Sequence, residues 1–597
     1  MPRYVPPIQD LQFLLTEVAE LDQICALPGY ADVEPEVIGA ILEAAGKFAS
    51  EILAPLIRVG DTEGSRLEND VVRTPEGWRE AYRQFTEGGW TSLLFDSQYG
   101  GQGLPRVVGA AVQEMWDAAN MSFGLCPMLT QTAAQVISLG GTSEQKELYL
   151  ERLVKGEWTG TMNLTEPQAG SDLSAVQTQA VAVKEGHYLL TGQKIFITYG
   201  DHDLSSNIIH LVLARTLDAP EGVKGISLFI VPKFIPDSDG EPGERNDICT
   251  VSLEHKLGIH ASPTAVLSYG DQGGAVGYLL GEINRGLEFM FIMMNMARHA
   301  VGIEAYAIAE RAYQRAFLYA KERIQGRGVG MQSDARVPII KHPDVCRMLL
   351  EMKCRIDAMR ALSLYTAAAE DRAIHHVEEE DRLRNQNLVD VLIPIVKGWS
   401  SELGNDIAGR ALQVLGGMGF IEEAGAAQHY RDARITTIYE GTTGIQAADL
   451  VRRKLLGDGG GLIRQVISTI QTDVARVSSN DGKEITEICT AMREALSRLE
   501  VATEWILESA TRNPRLPFAA SFHYLMLWGA VAGGWQMARA AGAAVRRMEK
   551  EPEQQLFHDK ILSASCYIRY VLPTTTACYA AIVSGSELVA RFEGSSS

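Results

Sequence analysis

The run GLEFMFIMMNMARHAVGIEAYAIAERAYQRAFLYAKERI, residues 286–324, constrains this chain more than any other stretch. It contains no proline, and its apolar residues recur at helical spacing over a length no strand reaches. It predicts one long helix. Two further runs of the same kind follow, VCRMLLEMKCRIDAMRALSLYTAAAEDRA (345–373) and LVDVLIPIVKGWSSELGNDIAGRALQVLG (388–416). Long amphipathic helices in succession pack as an antiparallel bundle. Upstream the pattern differs. Segments such as HYLLTGQKIFIT, IIHLVLARTL and GISLFIVPKF alternate or run apolar between Gly, Asp and Pro, which are strand signals. Before them, VIGAILEAAGKFASEIL and SEQKELYLERLV return to the helical period. After GDGGG, a flexible break at 457–461, roughly 130 more residues of helical pattern form a block large enough for its own domain.

The expected class is therefore α+β and multidomain. It has an N-terminal helical domain (1–160), a central β-barrel or sandwich domain (161–280), a four-helix bundle (281–456) and an additional C-terminal helical bundle (460–597). A chain of 597 residues with 46% hydrophobic content can support several cores. The formal charge of -20 repels phosphate backbones and anionic membranes, so no nucleic-acid partner is expected. Eight cysteines without a CxxC pair read as reduced thiols, with no metal site and no disulfide frame. No secretory or transit leader is recognisable, and a cytoplasmic location is expected. The apolar stretch FAASFHYLMLWGAVAGGWQMA (518–538) is long enough to cross a membrane. Its His523, Gln536 and small residues favour a buried bundle helix, so membrane contact is not expected.

Several short segments carry chemical groups. MNLTEPQAGSD (162–172) offers the hydroxyls of Thr165 and Ser171, a rigid Pro167 and Gly170, where backbone can approach a ligand. Equally it reads as an ordinary domain-joining turn. GQKIFIT (192–198) ends a strand with Phe196, Ile197 and Thr198, a set able to pack on a flat ring; as a plain strand core it needs no ligand. In IYEGTTG (438–444), Glu440 has no basic residue beside it in the chain and is followed by small residues. Taken alone, such an acid points into water past a helix or strand end.

The order of these segments is more informative than any one of them. TEPQAGSD, GQKIFIT, KLGIHASPT, a helix with NMAR, KERIQGRG, QVLGGMGF and IYEGTTG, in that sequence, closely resemble the acyl-CoA dehydrogenase flavoproteins over about residues 40–455. The block beyond 460 resembles a larger bacterial subgroup, whose substrates include fatty acyl-CoAs and 3-methylmercaptopropionyl-CoA.

The resemblance implies an FAD-dependent enzyme that converts an acyl-CoA thioester to the trans-2-enoyl-CoA and passes electrons to an electron-transfer flavoprotein. It makes Glu440 the catalytic base, since a carboxylate in a dry pocket gains basicity. Some relatives carry the base on the long helix, where this chain has Ala297. The resemblance assigns FAD contacts to Met162, Thr165, Gly170, Ser171, Phe196, Ile197, Thr198 and Thr442. Arg323, Gln325, Gln413, Gly416 and Gly417 match residues that reach the FAD of a neighbouring subunit, so a homo-oligomer, at least a dimer, is implied. Ser171, Asn295, Arg298 and Gly441 match substrate contacts. The chain departs from the family at Phe196 (usually Trp), Gly444 (often Gln) and Asn295 (often Asp). Two rival readings are an acyl-CoA oxidase using oxygen and a non-catalytic flavin-bearing relative that binds acyl-CoA or DNA. The latter requires a basic C-terminal surface, whereas the densest basic spot, RRMEKEPE (546–553), is neutralised by its own acids.

Overall fold

A computed structural model describes residues 3–183, 186–330, 335–478 and 482–592. The chain forms two compact units. One comprises Met1–Gly46, Pro105–Ala118 and Arg298–Ser597; the other comprises Lys47–Leu104 and Ala119–Ala297.

The second unit is built on an eight-stranded sheet. Its path runs Ile248–Leu253, Thr264–Tyr269, Tyr188–Thr198, Ala275–Leu280, Ser227–Pro232, Asn207–Thr216 and Trp158–Asn163, with Gln179–Ala182 pairing to Tyr188–Thr198 and Asn207–Thr216. Pairing is antiparallel except where Asn207–Thr216 meets Trp158–Asn163 and Gln179–Ala182. The strands Asn207–Thr216 and Ser227–Pro232 are apolar on both faces because both faces are covered. Ile209, Leu211 and Leu213 pack with Ala133, Ile137, Leu150 and Leu153 of the flanking helices. The intervening Val212 and Ala214 join Phe229, Val231 and Leu267 in a second core.

The other unit is helical. The first long run folds as the helix Gly286–Glu322, which belongs to this unit from Arg298 onward, and the two that follow fold as Pro343–His375 and Glu379–Leu415. Within this unit the helices approach closely: a Cβ on Gly404 would stand 2.5 Å from the carbonyl oxygen of Ala305. The apolar stretch predicted to be a bundle helix lies in Leu516–Met548, and 72% of its most apolar window is buried inside the protein. A Cβ on its Gly529 would stand 2.1 Å from the Trp399 ring, so only glycine permits that approach.

A buried ion network ties distant parts of this unit together. Arg360, with no exposed surface, donates to Glu114 at 2.8 and 2.9 Å, to Asp10 at 2.5 Å and to Glu310 at 2.9 Å. Lys560, in the C-terminal block, pairs with Asp10 in turn. A charge this deep is tolerated only because opposite charges surround it.

Candidate active site

The loop that carries Glu440 is built on the helix Glu379–Leu415. That helix is apolar through its middle, residues 391–396, and beyond it turns Lys397, Glu402 and Asn405 toward residues 433–443. The Lys397 ammonium donates to the carbonyls of Thr436 (2.8 Å) and Gly441 (2.7 Å). Asn405 donates to the carbonyl of Ala433 at 2.9 Å, and the Thr443 hydroxyl donates to Glu402 at 2.6 Å. The loop is thereby fixed at its start, middle and end.

Between those anchors the backbone makes a left-handed turn. Glu440 has φ 54° and Gly441 φ 86°. A non-glycine residue in that region is uncommon and costs about 1–3 kcal/mol unless its surroundings impose it. The fully buried Gln446 helps impose it, donating its amide to the carbonyls of Glu440 (3.1 Å) and Gly441 (3.2 Å). A Cβ at position 441 would sit 2.8 Å from that amide, so glycine is required there on two counts. With its carbonyl engaged, Glu440 keeps a backbone N–H that makes no hydrogen bond among the described residues.

Glu440 is half-buried. Burial pushes its carboxyl up to about 7, against the opposing pull of Arg298 and Lys397. In sequence this acid has no basic neighbour; in space it has two cations, brought from different helices. Arg298 also stands 3.6 Å from Asp449, which pairs with Arg453 at 3.1 Å. Burial likewise lowers the Lys397 ammonium to about 7, with Glu440, Glu304 and Glu402 holding it up and Arg298 adding to the depression. Behind Glu440, the Tyr439 hydroxyl donates to Glu304. Glu304 is held well above the carboxylate range by burial and by nearby Asp117, which burial pushes up to about 8.

Of the other residues singled out in this unit, Arg323, Gln325, Gln413, Gly416 and Gly417 are all exposed. Arg323 donates to the Gln325 side chain at 3.2 Å. Beside Gly416 and Gly417 stands Phe420, 88% exposed. The Thr442 oxygen caps the helix Thr443–Asp449 by accepting from Ile445 N–H at 3.3 Å, which leaves its O–H as a donor for a ligand. Ala297 is fully buried and carries no acid, so Glu440 is the one carboxylate at the two matched positions.

The sheet unit brings its two motifs together by an ion pair. Glu166 of TEPQAGSD meets Lys194 of GQKIFIT at 2.8 Å, and both are buried. Glu166 also accepts from the backbone of Gln177 and Thr178 at 2.7 and 3.1 Å. Burial alone would raise its carboxyl, but Lys194 and these donors together hold it below the ordinary range. Ile195 N–H donates to Thr165 O at 2.9 Å. The strand is bulged here: Ile195 and Phe196 together oppose Val266. Phe196 takes φ 60° and its side chain swings outward, 59% exposed, while Ile197 stays buried. Met162, Thr165 and Thr198 are half-buried near this edge, and Gly170 and Ser171 are exposed with open space beside Gly170. Asn295 is exposed on the long helix.

A presented aromatic ring, an open backbone loop and available hydroxyls suit a flat heteroaromatic cofactor bearing phosphates, so the residues present fit FAD. Sequence reasoning passed over Glu166, Lys194, Lys397, Gln446, Glu304 and Asp117. One signal was available: Lys397 is a lone charge inside the apolar run VLIPIVKGW.

Comparison with known proteins gives four matched family models in order along the chain. They are the acyl-CoA dehydrogenase N-terminal domain (36–157), middle domain (161–271) and C-terminal domain (284–455), then an acetyl-CoA dehydrogenase C-terminal-like domain (462–593). The chain is 48% identical to 3-methylmercaptopropionyl-CoA dehydrogenase of Ruegeria pomeroyi, covering 96% of this chain and 97% of that one. It is 34% identical to the broad-specificity linear acyl-CoA dehydrogenase FadE5 of Mycobacterium tuberculosis, covering 97% of each. In fold it resembles the crystal structure of a Bacillus anthracis acyl-CoA dehydrogenase complexed with FAD, with TM-score 0.74 and 22% identity over 98% of this chain and 92% of that one.

Proposed function

This chain belongs to the acyl-CoA dehydrogenase family, and from that premise we propose that Glu440 is the base that removes the α-proton of an acyl-CoA thioester. The enzyme is an oxidoreductase acting on a CH–CH bond, and its cofactor is FAD. The observation that carries the assignment of Glu440 is its setting: a carboxyl poised at about 7 on an imposed left-handed turn. A base with a pKa near the working pH has the best compromise between being ionised and being strong.

Met162, Thr165, Gly170, Ser171, Phe196, Ile197, Thr198 and Thr442 would hold FAD. Arg323, Gln325, Gln413, Gly416 and Gly417 would reach the FAD of a second copy of the chain. When bound, FAD supplies the acceptor for the hydride that leaves the β-carbon.

The protein's own part is positioning and proton transfer. The unused N–H of Glu440 is a donor for the thioester carbonyl, where negative charge builds as the α-proton leaves. The Glu440 carboxylate takes that proton. Arg298 and Lys397 keep enough positive potential nearby to oppose the upward push of burial on the Glu440 carboxyl. Asn295, Arg298, Ser171 and Gly441 are proposed to contact substrate. For Arg298 this contact acts alongside its pairing with Asp449.

The substrate proposed is a short acyl-CoA, with 3-methylmercaptopropionyl-CoA the first to test, because the relative of that name is 48% identical along nearly its whole length. An electron-transfer flavoprotein is proposed as acceptor, a homodimer as the assembly and the cytoplasm as the location. The test is anaerobic absorbance of the purified flavoprotein against saturated acyl-CoAs from short to long, including 3-methylmercaptopropionyl-CoA. Bleaching is expected, fastest with the true substrate. A yellow protein that never bleaches with any of them would overturn the reading.

A further inference from the structure

We propose that Lys397 is a positioning residue for this reaction, clamping the carbonyls on either side of Glu440 and setting both the direction and the basicity of that carboxylate. The inference rests on Glu440 being the base.

Lys397 has no exposed surface, on a helix whose neighbouring residues Val391, Leu392, Ile395 and Val396 are all buried. If the position needed only volume, an aliphatic side chain would fill it without burying a charge. What the ammonium does there is specific. Its two contacts, Thr436 O at 2.8 Å and Gly441 O at 2.7 Å, span the residues 436–441. The left-handed pair Glu440–Gly441 lies inside that span. Gln446 secures the Glu440 and Gly441 carbonyls as well, but it is neutral. Lys397 is thus the clamp that also carries charge.

The groups around it point the same way. Facing Lys397 are the acids Glu440, Glu304 and Glu402 and the cation Arg298. Facing Glu440 are Arg298 and Lys397, with Asp449 and Arg453 beyond Arg298 and the Tyr439–Glu304 contact behind. Arg298 is partly neutralised by Asp449, whereas the hydrogen bonds of the Lys397 ammonium go to neutral carbonyls. Lys397, whose ammonium burial brings down to about 7, therefore leaves its positive field for Glu440 wherever it is still protonated, which covers the acidic limb. Removing that field makes the carboxyl hold its proton more tightly, so the base is ionised only at higher pH.

The experiment compares Lys397→Met and Lys397→Arg with the wild type as flavin-loaded enzymes, recording kcat/KM from pH 6 to 9.5. In Lys397→Met the acidic limb should move up by about one pH unit, which costs about fivefold at pH 7 and almost nothing at pH 9. Lys397→Arg stays charged across this whole range, whereas Lys397 titrates near 7, so the variant's limb should not move up. A second readout does not depend on turnover. The stability gain of Glu440→Gln over its parent grows with pH until the folded Glu440 ionises, so the pH at which that gain levels off should rise when Lys397 is already Met. A purely structural role predicts a loss equal at all pH values and an unmoved stability midpoint, and either result overturns the proposal. If Lys397→Met does not fold, Lys397→Arg still decides it: a limb displaced upward by a full pH unit despite retained charge refutes the electrostatic part. If the wild type oxidises no acyl-CoA at all, the functional reading fails, while the stability readout still tests the clamp.

Discussion

Replacing Glu440 by Gln should make this protein more stable and almost inactive, and the stability gain should depend on pH in one direction. The folded protein holds the Glu440 proton up to about pH 7, against an ordinary value of 4.5. Below about pH 4.5 the carboxyl is protonated in both folded and unfolded chains and contributes no difference. Between 4.5 and 7 the unfolded chain ionises while the folded one does not, so folding loses ground as pH rises. Above 7 the folded carboxyl ionises too and the full deficit of about 3 kcal/mol stands, because each pH unit separating the folded and unfolded titrations is worth roughly 1.4 kcal/mol. Partial exposure of the side chain brings the expected figure to about 2 kcal/mol. Gln has the same shape and no charge to bury. Its advantage over the wild type should be only about a quarter of its maximum at pH 5 and near that maximum at pH 8.5, read as a difference in thermal midpoint for the substrate-free protein. Turnover should fall by at least about 10²–10⁴, the range for loss of a general base. A stability gain equal at both pH values, or greater at pH 5, would refute the account of burial as the cause of the raised pKa.

Other outcomes follow from the same geometry. Arg360→Met should cost about 3–5 kcal/mol by stranding Asp10, Glu114 and Glu310 in the interior, measured by chemical or thermal unfolding; an unchanged midpoint would mean the network is solvated. Phe196→Ala should barely change the stability of flavin-free protein, since its ring is 59% exposed, but should reduce flavin retention as seen in the visible absorbance of the purified protein. A large loss of stability without loss of flavin would show that the ring is packed in the core instead.

Much of the architecture was legible because it depends on periodicity. Residues 286–324 could be only a helix, and the structure has Gly286–Glu322. The strands Asn207–Thr216 and Ser227–Pro232 announced themselves as short apolar runs between breakers. The stretch 518–538 was separable from a membrane span by its small residues, which seat it against Trp399. Glu440 was singled out as the candidate base by the order of the surrounding motifs, while its isolated appearance in IYEGTTG favoured a solvated acid.

What the sequence determined by itself was therefore the local conformations and the chemical groups on offer. Hydrophobic spacing and turn residues act over a few positions, and they are written in the chain. The tertiary structure decided which charges face which. Glu440 lacks a basic neighbour along the chain, yet Arg298 lies 142 positions away and Lys397 43, and folding brings both within reach. Whether a carboxyl titrates at 4.5 or near 7 depends on the water it loses and the charges it gains. Both are sums over residues distant in sequence, so that property exists only once the helices have packed.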